Sequence, residues 1–184
     1  MFMASSSLCL YGNIDPAFLQ EKHGEKGVLP LQKAGKYAKI LVEYMKSGGT
    51  MTIRELFLDT DHNCAEAVLL WADERYGLNI APEDVKLVSG FGGGLGCEET
   101  CGALLGAVAA LSKRLVRDRA HLTPGFREDC AGLVDRFRAE LGSIRCGELK
   151  QMYRRPDVRC LFVVEQAAAI LDGYIRELEA PHED

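Results

Sequence analysis

Seven cysteines, at positions 9, 64, 97, 101, 130, 146 and 160, are the residues of this chain with the most chemistry to offer. A thiol can act as a nucleophile in disulfide exchange or as a soft ligand to zinc or iron, and in either role the working form is the thiolate. Four of the seven fall at or near predicted helix starts. Cys64 follows Asn63, Cys101 follows Thr100, Cys146 comes three residues after Ser143, and Cys160 comes three after Asp157, which follows Pro156. A helix N-terminus carries a partial positive charge and free N–H groups, and both favour a thiolate. Cys64, Cys101, Cys146 and Cys160 are therefore the candidate redox thiols or metal ligands. Cys130, inside an amphipathic stripe, and Cys9, in a loose arm, read as small hydrophobic residues.

Spacing narrows the chemistry. No C-x-x-C occurs, so the usual signatures of zinc ribbons, thioredoxin-like sites and ferredoxin runs are absent, as is the C-x-x-C-H of attached haem. Cys97 and Cys101 form a C-x3-C pair that could share a helical face if the helix began before Cys97, which makes Cys97 an additional candidate ligand. The run Ser89 to Gly96, S-G-F-G-G-G-L-G, lacks the Lys of a phosphate loop and does not fit a dinucleotide fingerprint. Its glycines Gly92, Gly93 and Gly94, with Gly102 and Gly106 beyond them, instead let the backbone pass close to the thiol site or a cofactor. His62 reads as a solvated residue before a helix, with an accessory ligand as the alternative. Glu98 and Glu99 read as first-turn acids that suit the dipole of the following helix.

The elements that must carry these residues are helical. Predicted helices run from Pro30 to Met45, Thr52 to Leu58, Asn63 to Tyr76, Thr100 to about Leu115, Pro124 to Leu141 and Ile144 to Met152, with a helical turn at Glu83 to Val88. Asn63 with Glu66 resembles a capping box, and Gly77 is a natural terminator. The last helix is the clearest: Leu161, Val164, Ala168, Leu171, Ile175 and Leu178 recur at steps of three and four beside a second apolar stripe, as in the central helix of a bundle. No hairpin or repeat is evident. The expected fold is an all-α, compact helical bundle with a Gly-rich loop leading into a central helix. Residues 1–45 form an N-terminal arm and helix, and residues 46–184 a four-cysteine redox domain.

Length and composition agree. The 184 residues suffice for a core without disulfide staples, and 47% apolar with 27% charged residues describes a globular chain. A net charge of −5 gives no electrostatic reason for nucleic acid or an anionic membrane as partner. No apolar stretch approaches membrane-spanning length, and Met1 to Tyr11 has no basic region typical of an export signal. The expected location is the reducing cytoplasm, where an odd number of cysteines points to metal or redox chemistry rather than structural pairing.

At N-C-A-E-A-V (Asn63 to Val68), G-F-G-G-G-L-G (Gly90 to Gly96), T-C-G-A-L-L-G (Thr100 to Gly106), Cys146 and Cys160, the sequence resembles the C-GCAxxG-C-C family of redox-active proteins. The resemblance spans roughly residues 50–178 and places the family's signature cysteines on Cys64, Cys101, Cys146 and Cys160. It implies a redox function without naming a substrate. A similar module in split-Soret cytochromes is associated with an iron–sulfur cluster, and this chain lacks the haem motifs those proteins add. The chain also departs from the signature by carrying Cys97 and Cys130. The resulting expectation is a cytoplasmic protein holding an iron–sulfur cluster, of [2Fe–2S] type, for electron transfer. Its partner would be a redox protein or small electron carrier, and its state a homodimer. The alternatives are a metal-free thiol–disulfide oxidoreductase and a helical binding module with structural zinc.

Overall fold

Two side-chain caps set the first helices of the domain. In the computed structural model, which describes residues 51–180, Thr52 starts α1 (Ile53–Leu58) and Asn63 starts α2 (Cys64–Tyr76). Each forms a reciprocal box with the Glu three residues on, Glu55 and Glu66, so orphan N–H groups are satisfied at both starts. Gly77, at φ 60°, closes α2 in the left-handed conformation that glycine adopts at little cost. The described residues belong to the second of two units into which the chain divides, residues 48–184. Cys9 and the helix expected over Pro30 to Met45 lie outside the described residues.

After α2 the chain makes a 3-10 segment, Asp84–Phe91, and a single π turn, Gly94–Glu98. It then enters α3 (Gly102–Leu115) with Cys101 as its N-cap. A short 3-10 turn at Ala120–Leu122 leads to α4 (Phe126–Leu141), which Gly142 ends at φ 79°. The chain then forms α5 (Cys146–Tyr153) and α6 (Leu161–Glu179). Among the described residues there is no strand. Two isolated antiparallel bridges, Thr100 to Arg145 and Arg155 to Arg159, are the only extended pairings among those residues. The fold is all-α.

Helices α2 and α3 pack most extensively, and small residues allow it. Ala65, Ala67, Ala72, Ala103, Ala107 and Ala110 are all essentially inaccessible to solvent. Gly106 on α3 faces the backbone of Ala65 so closely that a Cβ there would collide with its carbonyl oxygen. Helix α6 lies against α1, α2, α3 and α4, with Val164, Leu171 and Ile175 fully buried at its core face. Leu104, Leu111, Leu133 and Phe137 complete that core. Burying each such side chain contributes about 1.5–3 kcal/mol before the entropy of ordering is subtracted.

Candidate functional site

All four candidate cysteines stand at helix starts. Cys64 and Cys146 are the first residues of α2 and α5, and Cys101 and Cys160 are the N-caps of α3 and α6. Two close approaches bring these starts together. The sulfur of Cys64 lies 2.5 Å from where a Cβ on Gly102 would stand, so residue 102 can hold α2 and α3 this close only as glycine. Gly94, at φ 66°, presents its bare Cα to Cys146, whose Cβ is likewise 2.5 Å from the position a side chain would occupy. Gly92 packs against the Asn63 side chain, and that side chain also donates to the Ser89 carbonyl at 3.0 Å. The Gly-rich run is thus wrapped over the start of α2.

A two-bond ladder joins the second pair of helices. The Cys101 N–H donates to the Ile144 carbonyl at 2.8 Å, and the Cys146 N–H donates to the Glu99 carbonyl at 2.6 Å. These bonds satisfy two N–H groups at the starts of α3 and α5 that neither helix can satisfy internally. Cys101 and Cys146 are both buried, at 5% and 6% exposure, while Cys64 and Cys160 are partly accessible.

Electrostatics tie the four into one set. Ionising Cys64 would raise the pKa of Cys101, Cys146 and Cys160 alike. Burial pushes all four thiols above their ordinary value, Cys101 to about 12. At Cys64, N–H groups of Gly93, Ala65 and Ala103 oppose that rise. They come from the glycine loop and from the first turns of α2 and α3. At Cys101 the opposing groups are the N–H groups of Leu104 and Ala103. At Cys146 the opposition comes from Lys150, and at Cys160 from Arg154, Lys150 and Arg159. The helix starts therefore do favour thiolates as their sequence positions suggest, but desolvation outweighs them in the free protein.

The remaining candidates separate from this set. Cys97 is exposed and its thiol donates to the Gly94 carbonyl at 3.7 Å. It shares no helix with Cys101, because the chain runs through left-handed φ at Leu95, Gly96 and Glu98 and α3 begins only at Gly102. That turn also redirects the two acids expected on the first turn of the helix. Glu98 pairs with Lys150 at 2.7 Å and Glu99 with Arg145 at 3.1 Å, so both serve α5 rather than the α3 dipole. Cys130 sits partly buried on α4 among core residues. His62 is partly buried, with Nδ1 2.5 Å from the Thr60 hydroxyl. Among the described residues no three His, Cys, Asp or Glu side chains are grouped as a ready-made single-ion site. Sequence spacing gave no hint of Arg159, which holds the turn before Cys160. Its guanidinium lies 4.2 Å over the Phe57 ring and donates to the Phe57 carbonyl.

An all-helical domain with cysteines at four of its helix starts is the class of protein that this fold and site define. The chain belongs to the family described as "Putative redox-active protein (C_GCAxxG_C_C)", whose model matches residues 62–174. The matched span contains all four helix starts. The chain is also similar to a protein of Archaeoglobus fulgidus named "Uncharacterized protein", with 27% identity over 127 residues that cover 61% of this chain and 84% of the relative. No solved structure matches.

Proposed function

We propose that Cys64, Cys101, Cys146 and Cys160 bind one iron–sulfur cluster, of [2Fe–2S] type, in a cytoplasmic electron-transfer protein that works as a homodimer. The observation that carries this reading is the placement of all four cysteines at helix starts, with the Cys64 sulfur set against Gly102 and facing N–H groups of the loop and of two helix starts. When bound, such a cluster supplies one-electron transfer without making or breaking bonds in a substrate. The chain's part is to hold four sulfurs, to keep water from Cys101 and Cys146, and to direct N–H groups at anionic sulfur. Glycines at 94 and 102 keep the space that side chains would fill.

The donor set fits. Thiolates are the ligands iron–sulfur clusters take, and a two-iron cluster takes them two to each iron. A single structural zinc would take the same four thiolates, and metal analysis separates the two. Metal-free exchange needs accessible thiols, whereas Cys101 and Cys146 are buried. The family's description as redox-active supports the redox part of this reading.

The test is anaerobic purification followed by iron, acid-labile sulfide and zinc analysis with a visible spectrum. Brown protein with iron and sulfide in equal amounts is expected. Colourless protein with stoichiometric zinc would replace this reading by the structural-zinc one, and metal-free protein with a reducible disulfide by thiol exchange.

A further inference from the structure

Helix α5, with its N-cap and the turn that follows it, differs in charge from the chain that carries it. Residues 145–159 hold five cations and two acids, whereas the whole chain is net −5. Some of these cations are already engaged. Lys150 is held by Glu98, Arg145 by Glu99 and Glu148, and Arg159 is turned inward over Phe57. Arg154 and Arg155 are exposed, and neither has an ion pair among the described residues. Beside them Met152 is 52% and Phe162 is 44% exposed, although Phe162 stacks on Tyr153 with ring centroids 5.0 Å apart. Exposed arginine, methionine and phenylalanine around a polar rim is the composition that protein interfaces favour.

This surface adjoins the start of α6, where Cys160 is the N-cap. Phe162 is two residues from Cys160, and the charges of Arg154 and Lys150 act on the Cys160 sulfur. We propose that Met152, Arg154, Arg155 and Phe162 form the docking surface for an acidic electron-carrier protein, which would meet the site at Cys160. The proposal rests on the redox function proposed above and adds the chemistry of its partner. A second copy of this chain does not fit the patch, because a two-fold contact would set Arg154 and Arg155 against themselves. Two unpaired cations are also too few for tight binding to nucleic acid, which draws its affinity from many neutralised phosphates. An acidic protein surface supplies the missing charge and an apolar centre for Met152 and Phe162.

The test uses the full-length protein and titrates it with flavodoxin, an acidic flavin carrier, at low and at near-physiological salt. A basic cytochrome c serves as the opposite-charge probe. Wild-type protein is expected to bind flavodoxin with an affinity that falls as salt rises, and not to bind cytochrome c. Arg154→Glu/Arg155→Glu should weaken flavodoxin binding by at least about tenfold at low salt and flatten the salt dependence. Met152→Ser/Phe162→Ser should weaken binding equally at both salts. Arg154→Gln/Arg155→Gln, with its helical circular dichroism checked, covers the case where charge reversal disturbs folding. Lys113→Glu/Arg117→Glu makes the same net change at the far end of α3. A loss of binding there equal to that of the arginine pair, unchanged affinity in the arginine variants, or binding to cytochrome c would overturn the proposal. A visible spectrum of the same samples separates the two readings. Colourless protein that still binds through the arginines keeps the docking surface and removes the cluster; brown protein indifferent to the arginines does the reverse.

Discussion

The Cys64 sulfur at the start of α2 stands against Gly102 at the start of α3, with no room there for a methyl group. A Cβ on residue 102 would stand 2.5 Å from the sulfur and 2.6 Å from the Phe91 carbonyl oxygen. One obstacle is a candidate ligand and the other is backbone, so neither can move cheaply.

Gly102→Ala is therefore expected to cost about 1–3 kcal/mol through overpacking and to lower cofactor content in the same protein. Gly173→Ala is the control, because Gly173 lies inside α6 with open space around it. That change should stabilise by about 0.5–1 kcal/mol. Urea titrations of both variants check the pair, and a Gly102→Ala protein as stable and as coloured as wild type would contradict the packing argument.

Single Cys→Ser changes should sort the thiols. Substituting Cys101 removes a buried soft ligand and leaves a hydroxyl that stays protonated, so the chromophore should be lost. Cys97→Ser and Cys130→Ser should keep it, because Cys97 is exposed on the turn before α3 and Cys130 packs within α4 rather than at a helix start. Absorbance per protein and iron content give the readout. Retention of full cofactor by Cys101→Ser would show that the site is drawn around the wrong sulfurs.

Alkylation of metal-free protein at neutral pH reads the same site without a cofactor. Of the six described thiols, Cys97 should react first, since it is exposed. Cys101 should react last, because it is 5% exposed and burial raises its pKa to about 12. Timed iodoacetamide labelling with peptide mass spectrometry gives the order, and early modification of Cys101 would show its surroundings to be more open than drawn.

Acid stability tests the opposite end of the bundle. Burial pushes the Asp172 carboxyl up, but the hydrogen bonds from Tyr76 and Arg75 and the charges of Arg75 and Arg176 outweigh it and hold the pKa below its ordinary value. Its stabilising contribution is therefore complete above the ordinary Asp value of about 3.9 and disappears as pH falls through the lower folded value. Asp172→Asn should cost about 1 kcal/mol at neutral pH and flatten the loss of stability below pH about 4. Equal acid sensitivity in wild type and variant would remove Asp172 from that account.

Much of the fold was legible because its signals are local. Asn63 with Glu66 and Gly77 mark helix ends within a few residues of themselves, and the structure has helix ends at both. The four helix-start cysteines were readable for the same reason. Three features were not. The delayed start of α3 depends on the Cys101 N–H being taken by Ile144, 43 positions away. The redirection of Glu98 and Glu99 depends on left-handed φ at Leu95 and Glu98, residues whose types do not announce it. The upward pKa of the thiols comes from burial, which belongs to the packed whole, whereas the helix dipole that opposes it can be read from position alone.

The four helix starts have a consequence for the order of events in folding. Their cysteines lie 37, 45 and 14 positions apart, so no short fragment of the chain contains the site. Closing loops of that length costs entropy that is recovered only when the helices have packed. The thiols should accordingly meet late, after α2 and α3 have docked and α6 has been laid across them. Any ligand held by all four would then act as a clasp on the finished bundle, slowing its opening far more than it speeds its formation.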